Sequence, residues 1–221
     1  MIEIHDDFLP QNTRKVFLII CNRIFMRSFI LVGGTALALQ IKHRFSEDLD
    51  FIIDSEALNT GQIKRNIART FKDYRIIREE PGLQIDIIVD DVKMTWFSAG
   101  TIAVKFRTAD HSFRYQNILI AKPEIIAVHK ILSISQRNTF RDYYDLYILA
   151  KYHIPLEKIF NLTRKLYPEL SPVTYSETLI YTDDIPEVSI ASHLNPREVV
   201  TREDISGFFI EELRRIKTKL Q

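Results

Sequence analysis

Apolar positions along the 221-residue chain follow two rhythms, and the change falls near Lys122-Pro123. Before it, apolar residues come in short runs or alternate with polar ones. Phe29 to Val32 is a run, and in Asp48 to Ile53 the residues Leu49, Phe51 and Ile53 alternate with Asp48, Asp50 and Ile52. Both read as strands. The same reading predicts strands at Tyr74–Arg78, Leu83–Val89, Lys93–Phe97 and Thr101–Phe106, with turns at Asp90-Asp91 and Ser98-Ala99-Gly100. Helices are predicted at 13–26, with Asn12 or Thr13 as the cap, at Ala36–Ile41, and at 56–72, where Ile63, Ile67 and Phe71 recur every fourth residue. From Pro123 on, the spacing is helical, over 123–136, 140–152, 155–167 and 203–220. Segment 168–200 holds Pro168, Pro172, Pro186 and Pro196 and reads as short helices and loops. The expectation is an α+β fold: a mixed sheet flanked by helices in residues 1–121, then a helical part, 122–221.

Composition narrows the class. At 26.0 kDa, 46% hydrophobic and 27% charged, the chain has the balance of a globular protein, not of a disordered or fibrous one. Thirty basic residues face 29 acidic ones, a net charge of +1, which argues against a bulk nucleic-acid coat or a polybasic membrane binder but not against a local basic patch. Cys21 is the one cysteine, so an internal disulfide and a cysteine-built zinc site are both excluded. The acidic start MIEIHDDFLP does not read as a signal peptide, and Val16–Val32 is broken by Asn22, Arg23, Arg27 and Ser28. A cytoplasmic protein without a membrane partner is expected.

The chemistry concentrates in Phe29–Phe51. A strand delivers Gly33 and Gly34 to the start of a helix, where free N–H groups and the helix dipole suit a phosphate, and Thr35 adds a hydroxyl. Asp48 and Asp50 then lie two apart on the next strand, so their carboxylates share a face. Two such hard oxygen donors suit Mg²⁺ or Mn²⁺, which is commonly held by carboxylates together with substrate phosphates. Asp86 is a lone acid in the apolar strand Leu83–Val89. If that strand lies beside Asp48–Ile53, Asp86 becomes a third ligand, and three carboxylates can hold the two cations used in nucleotidyl transfer. Further on, Asp142 and Asp145 share a helix face, and Lys130, Ser133 and Arg137 line the preceding helix. Antiparallel packing would bring these groups together, whether as a structural ion-pair network or as part of a site.

The order glycine pair, Asp-x-Asp, later strand acid resembles the nucleotidyltransferase fold of polymerase β-like enzymes. More narrowly, Gly33 to Leu37 with His43, Arg44, Ser46, Asp48, Leu49, Asp50 and Phe51 resembles the first motif of the AbiEii/AbiGii-type nucleotidyltransferase toxins. Lys130, Arg141, Asp142, Asp145 and Leu146 resemble their second. The likeness spans residues 29–149. It implies a toxin of a type IV toxin–antitoxin or abortive-infection system, with a nucleoside triphosphate as substrate, a tRNA 3′ end as acceptor and an antitoxin as partner. It implies Asp48, Asp50, Asp86 and Lys130 as catalytic residues, with the three aspartates holding metal. Gly33, Gly34, Thr35, Arg44, Ser46 and Asp145 then bind the nucleotide, and the helical part completes the site. Two other readings stay open: transfer to a protein or small molecule, and a non-catalytic nucleotide-binding module. The segment from Lys105 to Tyr115 interleaves basic and aromatic residues, and an edge strand is preferred there to a nucleic-acid contact.

Overall fold

The computed structural model describes residues 3–100, 106–137, 139–183, 185 and 194–219. The chain divides at Lys122–Pro123 into two compact units. The first holds a seven-stranded sheet. In chain order it has α1 (Gln11–Cys21), β1 (Ile30–Val32), α2 (Gly33–Ile41), β2 (Leu49–Ile53), α3 (Thr60–Thr70), β3 (Arg75–Glu80), β4 (Gln84–Val89), β5 (Val92–Ser98), β6 (Ser112–Tyr115) and β7 (Ile118–Ala121). The spatial order is β3-β4-β5-β2-β1-β7-β6. The sheet is mixed: β1 runs parallel to β7 and β2 to β5, while the other neighbours are antiparallel.

Register explains how the sheet acquires two different faces. Leu31 pairs with Phe51, Phe51 with Trp96, and Trp96 with Ile85, a row of four side chains that are all fully buried. The rings of Phe51 and Trp96 stack at 5.4 Å. Each such side chain contributes about 1.5–3 kcal/mol by leaving water. One residue along each strand, the row on the opposite face reads Val32, Asp50, Thr95, Asp86 and Arg78. Because side chains alternate strictly along a strand, the apolar row forces the polar row onto the other face.

Several boundaries differ from the sequence expectation, each for a local reason. α1 begins after Pro10 and ends at Cys21, not residue 26: the Asn22 side chain donates to the Leu18 carbonyl (2.9 Å), Arg23 is extended, and a 3₁₀ turn covers Ile24–Ser28. Thr13 is no cap; its hydroxyl lies inside the helix and donates to the Glu47 carbonyl (3.0 Å). α3 begins at Thr60, not 56, because the Asn59 side chain accepts from the Gln62 N–H (2.9 Å) as its cap. β3 runs past Arg78 to Glu80, paired to Gln84. Ser112–Tyr115 is the edge strand preferred from sequence, and β7 beside it was not expected. The strand expected at Thr101–Phe106 lies, but for Phe106, outside the described residues.

The second unit is helical: α4 (Pro123–Ile134), α5 (Phe140–Tyr152), α6 (Leu156–Leu166), α7 (Pro172–Ile180) and α8 (Arg202–Lys219). Within it α5 is central, with Asp142 to Leu149 buried without a break. A helix buried all round has to carry any polar residue on that stretch fully paired. Among the described residues no helix is long and apolar enough to cross a membrane.

Candidate active site

The turn from β1 into α2 is built around two close approaches. Gly33 has φ +71°, and a Cβ there would lie 3.1 Å from Asp50 Oδ2. A side chain at Gly34 would meet Arg44 Nη2 at 2.6 Å and Ser46 Oγ at 3.0 Å. The glycines therefore admit the protein's own side chains: the Asp50 carboxylate over the first, and the Arg44 guanidinium with the Ser46 hydroxyl over the second. Thr35, 1% exposed, donates from its hydroxyl to the Asp48 carbonyl and lies 2.8 Å from Ser46 Oγ. Its hydroxyl joins the start of α2 to the residue that opens the Asp-x-Asp segment. Arg44 is 3% exposed and donates to the Phe45 carbonyl at 2.8 Å. In this structure Thr35, Arg44 and Ser46 thus hold the turn and the loop against each other.

Asp48 and Asp50 are half-buried, with Asp50 on the polar face of β2 and Asp48 two residues before it. Asp86 is 4% exposed on β4. The strand of Asp86 is not the neighbour of β2, which corrects the adjacency expected from sequence: β5 lies between them. Thr95 on β5 pairs with Asp50 on one side and with Asp86 on the other. The two aspartates share a face about 10 Å apart at Cα, two strand spacings. The Asp86 carboxylate accepts from Gln84 Nε2 (2.8 Å) and faces Lys93 Nζ (3.6 Å). Among the described residues, no three acidic, histidine or cysteine side chains are grouped to hold a metal ion. Asp48 and Asp50 nevertheless fit a divalent cation by donor type, because Mg²⁺ commonly takes one or two carboxylates and completes its shell with waters and phosphates. Sequence reasoning missed Lys93 and Thr95. Their positions, two apart on a strand next to the acid strand, are a signal only once the strand order is known.

The second sequence motif forms a closed cluster in the helical unit. Lys130 Nζ contacts Asp142 Oδ1 at 2.7 Å and Asp145 Oδ2 at 2.6 Å, and Arg137 Nε contacts Asp142 Oδ2 at 2.9 Å. Asp145 is fully buried, Asp142 2% exposed and Lys130 6%. Arg137 reaches in from the surface, its side chain 65% exposed. Two cations and two carboxylates balance, which is what makes so deep an ionic cluster tolerable. Arg141 is exposed.

A glycine turn opening a helix, an Asp-x-Asp segment after it and a mixed sheet accord with a nucleotidyltransferase, and the family match shows the protein to be one. The family model "Nucleotidyl transferase AbiEii toxin, Type IV TA system" matches residues 20–112 and 74–211, and the chain belongs to that family. A protein of Aquifex aeolicus, aq_aa25, is 29% identical over 176 residues, covering 79% of this chain and 81% of its own length. Among solved structures, JHP933 from Helicobacter pylori superposes with a TM-score of 0.58 at 19% identity, covering 96% of this chain and 94% of its own. The nucleotidyltransferase toxin MenT4 from Mycobacterium tuberculosis gives 0.52 at 14%, covering 93% and 88%. At these identities the two structures speak to the fold.

Proposed function

We propose that this nucleotidyltransferase toxin acts in the cytoplasm on the 3′ end of tRNA, using Mg²⁺ or Mn²⁺, and that a cognate antitoxin restrains it. The observation that supports the metal-dependent reading is the approach of the Asp50 carboxylate to the Gly33 turn, with Asp48 two residues earlier tied to Thr35 through its carbonyl. In this reading the start of α2 offers its N–H groups to the phosphates of a nucleoside triphosphate. Asp48 and Asp50 would hold the cation, with Asp86 as the further ligand or base. The cation, when bound, lowers the pKa of the attacking hydroxyl and offsets charge on the phosphates. The acceptor oxygen attacks the α-phosphorus, a new P–O bond forms, the bond to the bridging oxygen breaks, and pyrophosphate leaves. Where Asp86 is the base, it would take the hydroxyl proton. Arg44 and Ser46 keep the turn in shape for this chemistry. Lys130 as a catalytic residue and Asp145 as a nucleotide-binding one are proposed on the motif resemblance alone.

The test is incubation with each α-labelled nucleoside triphosphate, Mg²⁺ and total tRNA, beside a parallel reaction with cell extract. Label on tRNA that is lost in Asp48→Ala is the expected result. Label on protein instead would overturn the tRNA acceptor. Nucleotide binding without transfer to any acceptor would overturn the catalytic reading.

A further inference from the structure

Between the two aspartates of the polar row lies one side chain that the family motifs do not contain. Thr95 is paired in register with Asp50 on β2 and with Asp86 on β4, so its side chain stands between theirs on the same face. It is 6% exposed. Its neighbours in the row are engaged elsewhere: Asp50 leans toward Gly33, and Asp86 is held by Gln84 with Lys93 nearby. Among the described residues the Thr95 hydroxyl takes part in no hydrogen bond. The hydroxyl keeps some exposure on the polar face, beside two carboxylates and bonded to neither, and so is available to a partner there.

The spacing gives that hydroxyl a use. With Cα atoms about 10 Å apart, Asp50 and Asp86 act on one reaction centre only if both turn inward, over Thr95. An inward carboxylate leaves its present contacts and needs a new donor to hold its orientation. Thr95 is the hydroxyl within reach of both, and a hydroxyl donating to a carboxylate makes a short, strong, directional bond. We infer that Thr95 is a positioning residue: its hydroxyl donates to an inward-turned Asp50 or Asp86 and fixes the oxygen that faces the cation and the attacking group. This inference rests on the metal-dependent reading of Asp48, Asp50 and Asp86.

The two are separable by experiment. Mn²⁺ binding is measured by electron paramagnetic resonance on the full chain, with a non-hydrolysable nucleoside triphosphate analogue present, for wild type, Thr95→Val, Thr95→Ser, Asp50→Ala and Asp86→Ala. Valine has the shape of threonine without the hydroxyl, and serine keeps the hydroxyl. Thr95→Val is expected to weaken Mn²⁺ binding about tenfold, in the range seen for groups that orient metal ligands. Thr95→Ser should stay within about twofold of wild type, and both should keep the wild-type melting temperature to within about 2 °C, since neither leaves a large cavity. Loss of Mn²⁺ binding in the two alanine variants, with Thr95→Val unchanged or with valine and serine equally impaired, would overturn the role of Thr95 and leave the metal reading standing. Wild-type Mn²⁺ binding in both alanine variants would overturn the metal reading itself, and the inference with it.

Discussion

Two groups of acids in this protein are paired in opposite ways. In the helical unit, Asp142 and Asp145 are almost wholly buried, and Lys130 and Arg137 match them charge for charge at 2.6–2.9 Å. In the sheet unit, Asp48 and Asp50 stay half-buried, and the nearest cation given to Asp86 is Lys93, itself 42% exposed and 3.6 Å away. The first cluster has its counter-ions built in, so its carboxylates hold helices together. In the second, the cations near Asp86, Lys93 and Arg78, are themselves substantially exposed. The same side-chain chemistry thus stands in two settings, one with its counter-ions buried beside it and one at a half-exposed surface.

The largest effect should come from breaking the closed cluster. Lys130→Met leaves Asp142 and Asp145 without their shared cation and should cost about 3–5 kcal/mol. Urea unfolding measures it, and a loss below about 1 kcal/mol would show that the cluster is not holding the helices. In the open group the larger effect is on transfer. Asp50→Asn should reduce nucleotide transfer by about a hundredfold or more while costing less stability than Lys130→Met. A matching loss of stability would make Asp50 a structural acid like Asp142. Gly33→Ala tests the turn that joins the two ideas: φ +71° and the 3.1 Å approach to Asp50 Oδ2 should together cost about 1–2 kcal/mol and also reduce transfer. Ala tolerated on both counts would mean that the turn has room to shift.

The effect that vanishes at neutral pH lies away from both clusters. Burial pushes the Cys21 thiol from its ordinary 9.0 up to about 12, and its sulfur lies 3.0 Å from Gln116 Oε1. Below pH 9 the thiol is protonated whether the chain is folded or not, and nothing is gained or lost. Between about 9 and 12 the unfolded chain releases a proton that the folded chain keeps, so stability should fall as pH rises through that window. Comparing the pH slope of unfolding in wild type and Cys21→Ala measures it. Equal slopes would show that the thiol ionises in the folded protein as it does in water.

Much of the fold was legible because it depends on short-range pattern. The alternation through Leu49–Ile53 and the glycines after Val32 mark a strand, a turn and a helix with no knowledge of the rest. The miscounted ends of α1 and α3 have local causes too, but ones carried by single side chains, Asn22 and Asn59, whose hydrogen bonds outweigh an apolar periodicity that runs on past them. β7 was missed because Ile118–Ala121 is only four residues long, and pairing to β1, distant in sequence, is what makes it a strand.

By itself the sequence picked out candidate residues and the local elements that carry them. Asp50 lies on a strand with Asp48 just before it, and Lys130 and Arg137 come near Asp142 or Asp145 if their helices pack as neighbours. Strand periodicity and helix geometry are local, so residue order alone decides them. Only the tertiary structure decided who stands next to whom. It placed β5 between the two acid strands, set Thr95 between Asp50 and Asp86, and seated Asp50 and Arg44 where side chains on Gly33 and Gly34 would be. Strand order follows from which apolar rows fit together across the whole sheet, and that choice is made by packing over dozens of residues, not by any stretch of chain read alone.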